Sequence, residues 1–280
     1  GGTVTATEVF VRFDPADPGI FSGNIIHTST GAATRNVAVS GTAVLPGTWT
    51  AYNDCAYIDG QISTNITTYE AYTSGESGLL KKYADGSDAP VTVTVTTGGS
   101  VASQLTEDRV GSEANPDTDA YNIFHDYVNM VGGVRLEPGA YIDLSFTGLN
   151  QNNTYTFAAT ANRADPEYSD RITRFTISDV EAAVNGSTPG VTVSSNQSVS
   201  FCTGYNTING YVARWTGIQP GDDGDFKVRV EIESGNYAYG PAVFLLSNET
   251  PGTVNHAPNQ PLPVYPADGS NDISILPTLT

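Results

Sequence analysis

The sequence predicts an all-β fold, a β-sandwich or jelly roll, and three observations support this expectation. Apolar and polar residues alternate along many short segments, whereas the helical period of about 3.6 residues is almost absent. Thr, Ser, Asn and Gly dominate the polar residues, and Thr favours strands while Asn and Gly favour turns. Turn signals such as Asp85-Gly86, Pro138-Gly139 and Pro220–Asp225 separate the alternating segments at the short spacing typical of sandwiches.

The candidate strands follow one another along nearly the whole chain. The alternating segments are Glu8–Phe13, Gly23–Thr28, Thr34–Val44, Val91–Thr97, Tyr141–Thr147, Tyr155–Thr160, Arg171–Ser178, Gly190–Ser195, Tyr211–Thr216, Asp225–Glu233 and Ala242–Ser247. One short helix is expected near Tyr121–Val128, because Asp117, Thr118 or Asp119 could cap its first turn.

The chain of 280 residues is strongly acidic, with 12 Lys+Arg against 30 Asp+Glu and a net charge of −18. Binding to phosphates requires clustered Lys and Arg, so the charge argues against nucleic acid as a partner. No apolar run reaches the roughly 18 residues of a membrane-spanning helix, so no transmembrane segment is expected. A hydrophobic content of 39% supplies material for a core and argues against a disordered chain.

The chain divides into a central body and two shorter ends. Residues 49–248 form the body, and this length is enough for one large sandwich. Residues 1–45 and 263–280 carry a few strands each, and residues 249–262 form a linker rich in Pro, Asn and Gly. Isolated groups of two or three strands are marginal in water. We therefore expect the ends to be ordered by contact with the body, with each other or with a neighbouring chain.

No arrangement of residues typical of an enzyme stands out, and we predict a protein without catalytic residues. Among the 3 histidines, only His125 lies beside a carboxylate in the body, that of Asp126. Adjacent positions rarely point the same way, and no G-x-S-x-G motif supplies a nucleophile. A pair of carboxylates for glycoside hydrolysis stays an alternative, because the distance between two side chains cannot be read from the sequence.

Calcium is the cofactor that the acidic loops favour, in a structural role. Loops with Asp and Asn oxygens beside Gly turns supply the hard oxygen ligands that Ca²⁺ prefers. The loop Pro220–Asp225 offers Asp222, Asp223 and Asp225 as metal ligands, although no EF-hand spacing is present. The alternative is a hairpin turn whose acidic side chains are solvated.

Aromatic residues in polar loops favour carbohydrate as a ligand. Sugar sites place a flat aromatic face against the C–H face of a pyranose and add fixed polar groups for the hydroxyls. The chain has 15 Tyr, and the candidates lie in three loops. The candidate ligand-binding residues are Tyr237, Tyr239, Asn162, Arg163, Tyr168, Tyr205 and Asn206. For any single Tyr the alternative is a half-buried strand residue.

We expect the 2 cysteines, Cys55 and Cys202, to form one disulfide. The composition is that of β-rich secreted proteins, and oxidising compartments favour such bridges. The bridge requires α-carbons within about 7 Å of each other. The alternative is a pair of free thiols.

Both ends resemble parts of immunoglobulin-like domains from large secreted bacterial surface proteins. The segment Thr7–Thr42, with Val9–Phe13 and Gly23–Ala32, resembles the second half of an immunoglobulin-like repeat. The segment Pro263–Thr280, with Val264–Ser270, resembles the first strands of a fibronectin type III or bacterial Ig-like domain. This resemblance implies Ig-like or fibronectin-like β segments on either side of the body.

The body resembles the jelly-roll modules attached to bacterial exported enzymes and surface proteins. The resemblance rests on Thr147–Leu149, Ala161–Arg163, Gly210–Trp215 and Gly221–Phe226. Many modules of this kind bind carbohydrate, but the fold hosts many functions. The resemblance implies a jelly-roll-like β-sandwich.

Taken with the aromatic loops, these resemblances favour a non-catalytic extracellular module of a bacterial surface protein, with glycan binding or adhesion as its function. One alternative is a repeating subunit of an extracellular fibre, assembled head to tail by β-strand complementation or built of tandem modules. Another is an accessory domain of an exported hydrolase. The expected partners are carbohydrate or neighbouring copies of the same protein, and the expected location is extracellular or at the cell surface.

Overall fold

The computed structural model describes residues 19–28, 33–43, 47–56, 62–103 and 111–249. The chain separates into two compact units. Gly47–Thr250 is one unit, and Gly1–Pro46 together with Pro251–Thr280 is the other. The strand expected at Glu8–Phe13 and the strands expected within residues 263–280 lie outside the described residues, as does nearly all of the linker.

The prediction of an all-β fold is confirmed. Every ladder between the described strands is antiparallel. The helical structure within these residues consists of a six-residue α-helix and a three-residue 3₁₀ helix. Neither helix has the length to cross a bilayer.

The described part of the first unit is a two-stranded hairpin, β1 (Gly19–His27) with β2 (Arg35–Ala43). It overlaps the expected strands Gly23–Thr28 and Thr34–Val44. A hairpin of this kind does not establish an immunoglobulin-like fold.

The second unit contains two large sheets and one small one. In chain order its strands are β3 (Trp49–Asp54), β4 (Ser77–Lys81), β5 (Asp88–Gly98), β6 (Val101–Ser103), β7 (Val134–Leu136), β8 (Tyr141–Thr147), β9 (Tyr155–Thr160), β10 (Ile172–Ser178), β11 (Val180–Asn185), β12 (Thr192–Ser195), β13 (Ser198–Cys202), β14 (Ala213–Pro220), β15 (Phe226–Ser234), β16 (Ala238–Gly240) and β17 (Val243–Asn248). The seven-stranded sheet has the order β12-β13-β10-β15-β8-β5-β4. The five-stranded sheet has the order β11-β14-β9-β17-β3, and the small sheet has the order β16-β7-β6.

Aromatic rings join the two large sheets face to face. Phe146 on β8 lies 5.6 Å from Phe157 on β9 and 5.5 Å from Phe244 on β17, measured between ring centroids. Phe226 on β15 stacks on Phe146 at 4.9 Å. All four rings are buried, so they form the centre of a sandwich core.

A short helix covers the outer face of the five-stranded sheet. The helix α1 (Asp119–Phe124) begins after Thr118, whose hydroxyl accepts a hydrogen bond from the Tyr121 backbone N–H at 3.4 Å. It starts earlier and is shorter than the helix expected over Tyr121–Val128. Its Phe124 packs edge-on against Tyr52 of β3 at 6.3 Å.

The expected disulfide is not formed, because Cys55 and Cys202 are both free thiols. Cys55 follows β3 of the five-stranded sheet, where its Sγ accepts a hydrogen bond from Asn53 Nδ2 at 3.5 Å. Cys202 ends β13 of the seven-stranded sheet, and its Sγ lies 3.5 Å from the Tyr168 carbonyl oxygen. Each sulfur contacts its own set of neighbours, Asn53 for Cys55 and the Tyr168 carbonyl and Tyr205 backbone N–H for Cys202, so the bridge prediction is wrong. Complete burial raises the pKa of the Cys55 thiol.

Candidate functional site

Loops from separate parts of the second unit meet beside the start of β10. They are residues 161–171 before β10, residues 203–206 after β13 and residues 235–237 before β16. The backbone N–H of Arg163 donates to the Thr203 carbonyl at 2.9 Å, and the N–H of Thr203 donates to the Arg171 carbonyl at 3.0 Å. These hydrogen bonds join the first two loops into one surface.

Asn162 and Asn206, two of the predicted ligand contacts, lie beneath these loops and hold them together. Asn206 is fully buried, and its Nδ2 donates to the carbonyls of Ala161 at 3.2 Å and Tyr211 at 3.0 Å. The Oδ1 of Asn162 accepts from the backbone N–H groups of Ala164 at 2.9 Å and Asn206 at 2.8 Å. Because both amides are buried and satisfied within the protein, we assign them to loop positioning.

A strained turn leads from Asn162 toward Tyr168. Ala164 has a φ of +60°, a left-handed conformation that is unfavourable for a residue with a side chain. Asp165 then caps the 3₁₀ helix Pro166–Tyr168, and its carboxylate accepts from the Glu167 backbone N–H at 3.0 Å. Tyr168 is therefore placed by a short capped helix.

Glycines allow the other two loops to pack closely on this segment. A Cβ added to Gly204 would lie 2.1 Å from the Tyr168 carbonyl oxygen, a distance no side chain tolerates. A Cβ added to Gly235 would lie 3.2 Å from the Arg171 α-carbon, and Gly235 also has a φ of +94°. The backbones in this region therefore touch, and the side chains that they carry project from a compact base.

Arg171 lies among the tyrosine rings that these loops carry. Its guanidinium carbon is 3.2 Å from the centroid of the Tyr168 ring and 5.7 Å from the centroids of both Tyr237 and Tyr239. Its Nη1 also donates a hydrogen bond to the Tyr239 hydroxyl. Each cation–π contact of this kind contributes about 0.5–2 kcal/mol, so together they fix the position of the guanidinium.

Arg135 and Arg163 extend this arrangement on both sides. Arg135 on β7 lies 5.0 Å from the centroid of the Tyr237 ring, and Arg163 lies 5.9 Å from the centroid of the Tyr168 ring. We define the Arg–Tyr cluster as the six residues Arg135, Arg163, Tyr168, Arg171, Tyr237 and Tyr239.

The tyrosines of the Arg–Tyr cluster differ in exposure. Tyr239 is 3% exposed, whereas Tyr168 and Tyr237 are half-buried. Burial raises the pKa of Tyr239, and the positive charge of Arg171 opposes that shift. The Tyr239 phenol therefore stays protonated near neutral pH and acts as a packing residue. Tyr168 and Tyr237 are the rings that reach the surface.

Four residues predicted from the sequence as ligand contacts meet in the Arg–Tyr cluster, namely Arg163, Tyr168, Tyr237 and Tyr239. Tyr205 lies half-buried on the adjoining loop, with its backbone N–H 3.4 Å from the Cys202 sulfur.

Arg135 and Arg171 have no motif that marks them in the sequence. Arg135 lies within a short strand, and Arg171 stands immediately before β10. The sequence offers one indication of the site. Basic residues are scarce in this chain, with 12 Lys+Arg in total, yet Arg163 and Arg171 lie only eight positions apart in one polar loop.

The acidic loop Pro220–Asp225, predicted to bind calcium, connects β14 to β15. A hydrogen bond between Asp223 and Asp225 raises the pKa of Asp225, and partial burial and the charge of Asp223 add to that shift. Asp222 is exposed, and its backbone carbonyl accepts a hydrogen bond from Gln151. Within the described ranges, no group of three or more His, Cys, Asp or Glu side chains is arranged to hold a metal ion. Calcium binding by this loop stays a prediction.

No protein-family model and no curated protein matches the chain. Among solved structures, the exo-β-1,3-galactanase of Phanerochaete chrysosporium is similar over 60% of this chain, with 14% identity and a TM-score of 0.24. The chain spans 32% of the length of that galactanase. A carbohydrate-binding module of the β-sandwich superfamily is similar over 80% of this chain and 75% of its own length, with 14% identity and a TM-score of 0.17. At these TM-scores neither likeness carries an argument about the function of this chain.

Proposed function

We propose that the second unit is a non-catalytic glycan-binding module of an extracellular surface protein, and that the Arg–Tyr cluster is its binding site. One observation carries the proposal. Half-buried aromatic rings, Tyr168 and Tyr237, are held around the fixed guanidinium of Arg171 on a rigid loop base. Flat rings beside preorganised donors are the elements with which proteins bind sugars.

The chemistry of the Arg–Tyr cluster suits binding rather than hydrolysis. Guanidinium groups donate several hydrogen bonds in a fixed plane, which fits the hydroxyls of a sugar ring. Glycosidases instead require two free carboxylic groups at a defined separation. Glu137, a carboxylate in contact with the cluster, is engaged by Arg135 at 3.0 Å.

Retention on an array of polysaccharides tests the proposed function. We expect the wild-type protein to be retained on at least one glycan, and we expect Tyr237→Ala and Tyr168→Ala each to lose most of that retention. Tyr121→Ala is the matched control, because Tyr121 is also half-buried but stacks on His125 at 4.0 Å, outside the Arg–Tyr cluster. If no glycan retains the wild-type protein, the proposal fails.

A second candidate function, as the subunit of an extracellular fibre, is favoured by the hairpin of the first unit. Val37 and Val39 lie on one face of that hairpin, because Val37 pairs with Ile25 and Val39 with Gly23. Their exposed fractions are 49% and 43%. An apolar face on a two-stranded sheet is stabilised by a covering partner, which in a fibre would be a neighbouring copy.

Light scattering over a range of concentrations tests the fibre function. We expect concentration-dependent assembly of the wild-type protein if this function is correct, and we expect Val39→Lys to abolish it. Ala38→Lys is the control, since Ala38 lies on the opposite face of β2. A wild-type protein that stays monomeric at every concentration excludes a function as a fibre subunit.

A further inference from the structure

We propose that the glycan bound at the Arg–Tyr cluster carries an anionic group, a carboxylate or a sulfate ester, and that Arg171 binds it. This inference rests on the proposed function and adds the chemical class of the ligand. Two observations support it: the partners that the arginines have, and the tyrosine rings that they share.

Arg171 lacks the carboxylate partner that other arginines of this unit have. Arg229 binds both carboxylate oxygens of Asp143 at 2.7 Å, and Arg214 binds Asp119 at 3.1 Å. In the part of the chain that the structure describes, no carboxylate lies within ion-pair distance of Arg171, which contacts tyrosine rings and one phenol. An arginine without a carboxylate partner, beside other arginines, is a local site for an external anion.

The guanidinium groups of the cluster converge on shared rings. Arg135 and Arg171 both lie over the Tyr237 ring, at 5.0 and 5.7 Å from its centroid. Arg163 and Arg171 both lie over the Tyr168 ring, at 5.9 and 3.2 Å. Arg135 already pairs with Glu137, and a bound anion would supply the counter-ion that Arg171 lacks.

The chemistry of a charged sugar fits both elements of the cluster. A guanidinium presents parallel N–H groups that match the two oxygens of a carboxylate or sulfate. The adjacent Tyr rings offer an apolar face to the C–H side of the same pyranose. A uronic acid residue and a sulfated sugar residue both combine these features, and a neutral sugar does not.

Isothermal titration with soluble polysaccharides tests the inference on the whole chain. The probes are polygalacturonate as the carboxylated glycan, chondroitin sulfate as the sulfated one, and dextran and a β-1,3-galactan as neutral glycans. We expect binding to at least one acidic glycan, weakened by added salt because the contact is ionic. Free glucuronate or glucose sulfate should compete for the site, whereas glucose should not. This competition needs no variant and therefore does not depend on how any variant folds.

Substitutions in one strand region separate the local contact from overall charge. Arg171→Gln should weaken acidic-glycan binding by at least about tenfold, the loss expected for a charge-assisted hydrogen bond. Arg174→Gln removes the same charge three positions away, where Arg174 is already paired with Glu231 and Glu233, and should leave binding unchanged. Melting temperatures of both variants report on their folding.

Each outcome decides between the two proposals. Binding of either acidic glycan, with loss in Arg171→Gln, supports the inference, and the better probe identifies the anion. Equal binding of neutral and acidic glycans, or full binding by a folded Arg171→Gln, overturns the inference and leaves glycan binding standing. Failure to bind any glycan, acidic or neutral, overturns both.

Discussion

Tyr237 and Tyr239 show how two residues of one loop acquire different roles. Both rings lie 5.7 Å from the guanidinium of Arg171. Tyr239 is 3% exposed and pairs in register with Arg135 across β16 and β7, whereas Tyr237 precedes the strand and stays half-buried. The buried Tyr239 therefore packs within the protein, and the half-buried Tyr237 is available to a ligand. Their positions in the same Gly-rich loop do not reveal this difference.

The first residue-scale prediction follows from this division. Tyr239→Ala should lower the free energy of unfolding by about 3 kcal/mol, because it empties a buried site of ring size. Tyr237→Ala should cost less than about 1 kcal/mol and act on glycan retention instead. Urea denaturation and retention assays on the same two variants check this. A large loss of stability in Tyr237→Ala would contradict it.

The second residue-scale prediction concerns the hydrogen-bonded carboxyl pair of Asp223 and Asp225. The pKa of Asp225 is raised in the folded protein, so its ionisation above that pKa destabilises the fold, and the effect fades as the pH falls toward the ordinary Asp value. Asp223→Asn should therefore raise the melting temperature at pH 7 and have little effect near pH 4. Asp222→Asn is the control, since Asp222 is exposed and contributes a backbone carbonyl.

The same variant, Asp223→Asn, also tests whether the loop Pro220–Asp225 binds calcium. If the loop binds Ca²⁺ as the sequence analysis predicts, millimolar Ca²⁺ should raise the melting temperature of the wild-type protein by mass action. It should raise that of Asp223→Asn less. An equal shift, or none in either protein, rejects calcium binding at this loop.

At the scale of elements, the Arg–Tyr cluster depends on close backbone packing between its loops, which Gly204 permits at Tyr168. The prediction is that Gly204→Ala lowers stability by roughly 1–3 kcal/mol, because its Cβ would meet the Tyr168 carbonyl oxygen at 2.1 Å and the backbone must move. Glycan retention should fall with it, since Tyr168 moves too. Gly186→Ala is the matched control, because its Cβ meets side-chain atoms at 3.4 Å, an ordinary contact. Equal melting temperatures for the two variants would contradict the prediction.

Strands with a clear alternation were predictable from the sequence. The expected segments Tyr141–Thr147 and Tyr155–Thr160 coincide with β8 and β9. The strand Trp49–Asp54 was not foreseen, because it ends in Asn53 and Asp54, residue types that are depleted in strands, and both are buried here. The helix boundary depended on which of three candidate residues caps it, and the structure selects Thr118.

The candidate site was predictable only in part. Aromatic residues beside Gly-rich or polar loops mark Tyr168 and Tyr237. Their meeting depends on how β16 pairs with β7 and packs beside β10, which is set by residues far apart in the chain. The burial of Asn162 could not be foreseen either, since a polar residue in a loop is usually exposed.

At the scale of the whole molecule, free thiols make the fold independent of redox conditions. The prediction is that a reducing agent leaves the melting temperature unchanged, whereas loss of a disulfide of the expected span would cost about 4–5 kcal/mol. Thiol alkylation followed by mass spectrometry adds a second check. Cys55, buried with a raised pKa, should react only on unfolding, and Cys202 should react faster. A melting temperature that falls on reduction would contradict the absence of a bridge.

The pairing of β3 with β17 has a mechanical consequence. Trp49 pairs with Asn248, so the chain enters and leaves the sandwich at adjacent positions, and β3 forms the edge of its sheet. A pull that separates these two positions loads the antiparallel ladder one residue pair at a time. Strand β3 would peel away first under a modest force, while the rings of Phe146 and Phe157 still hold the layers together. A chain pulled from both ends of this unit would therefore lengthen by the release of β3 before the sandwich core opens.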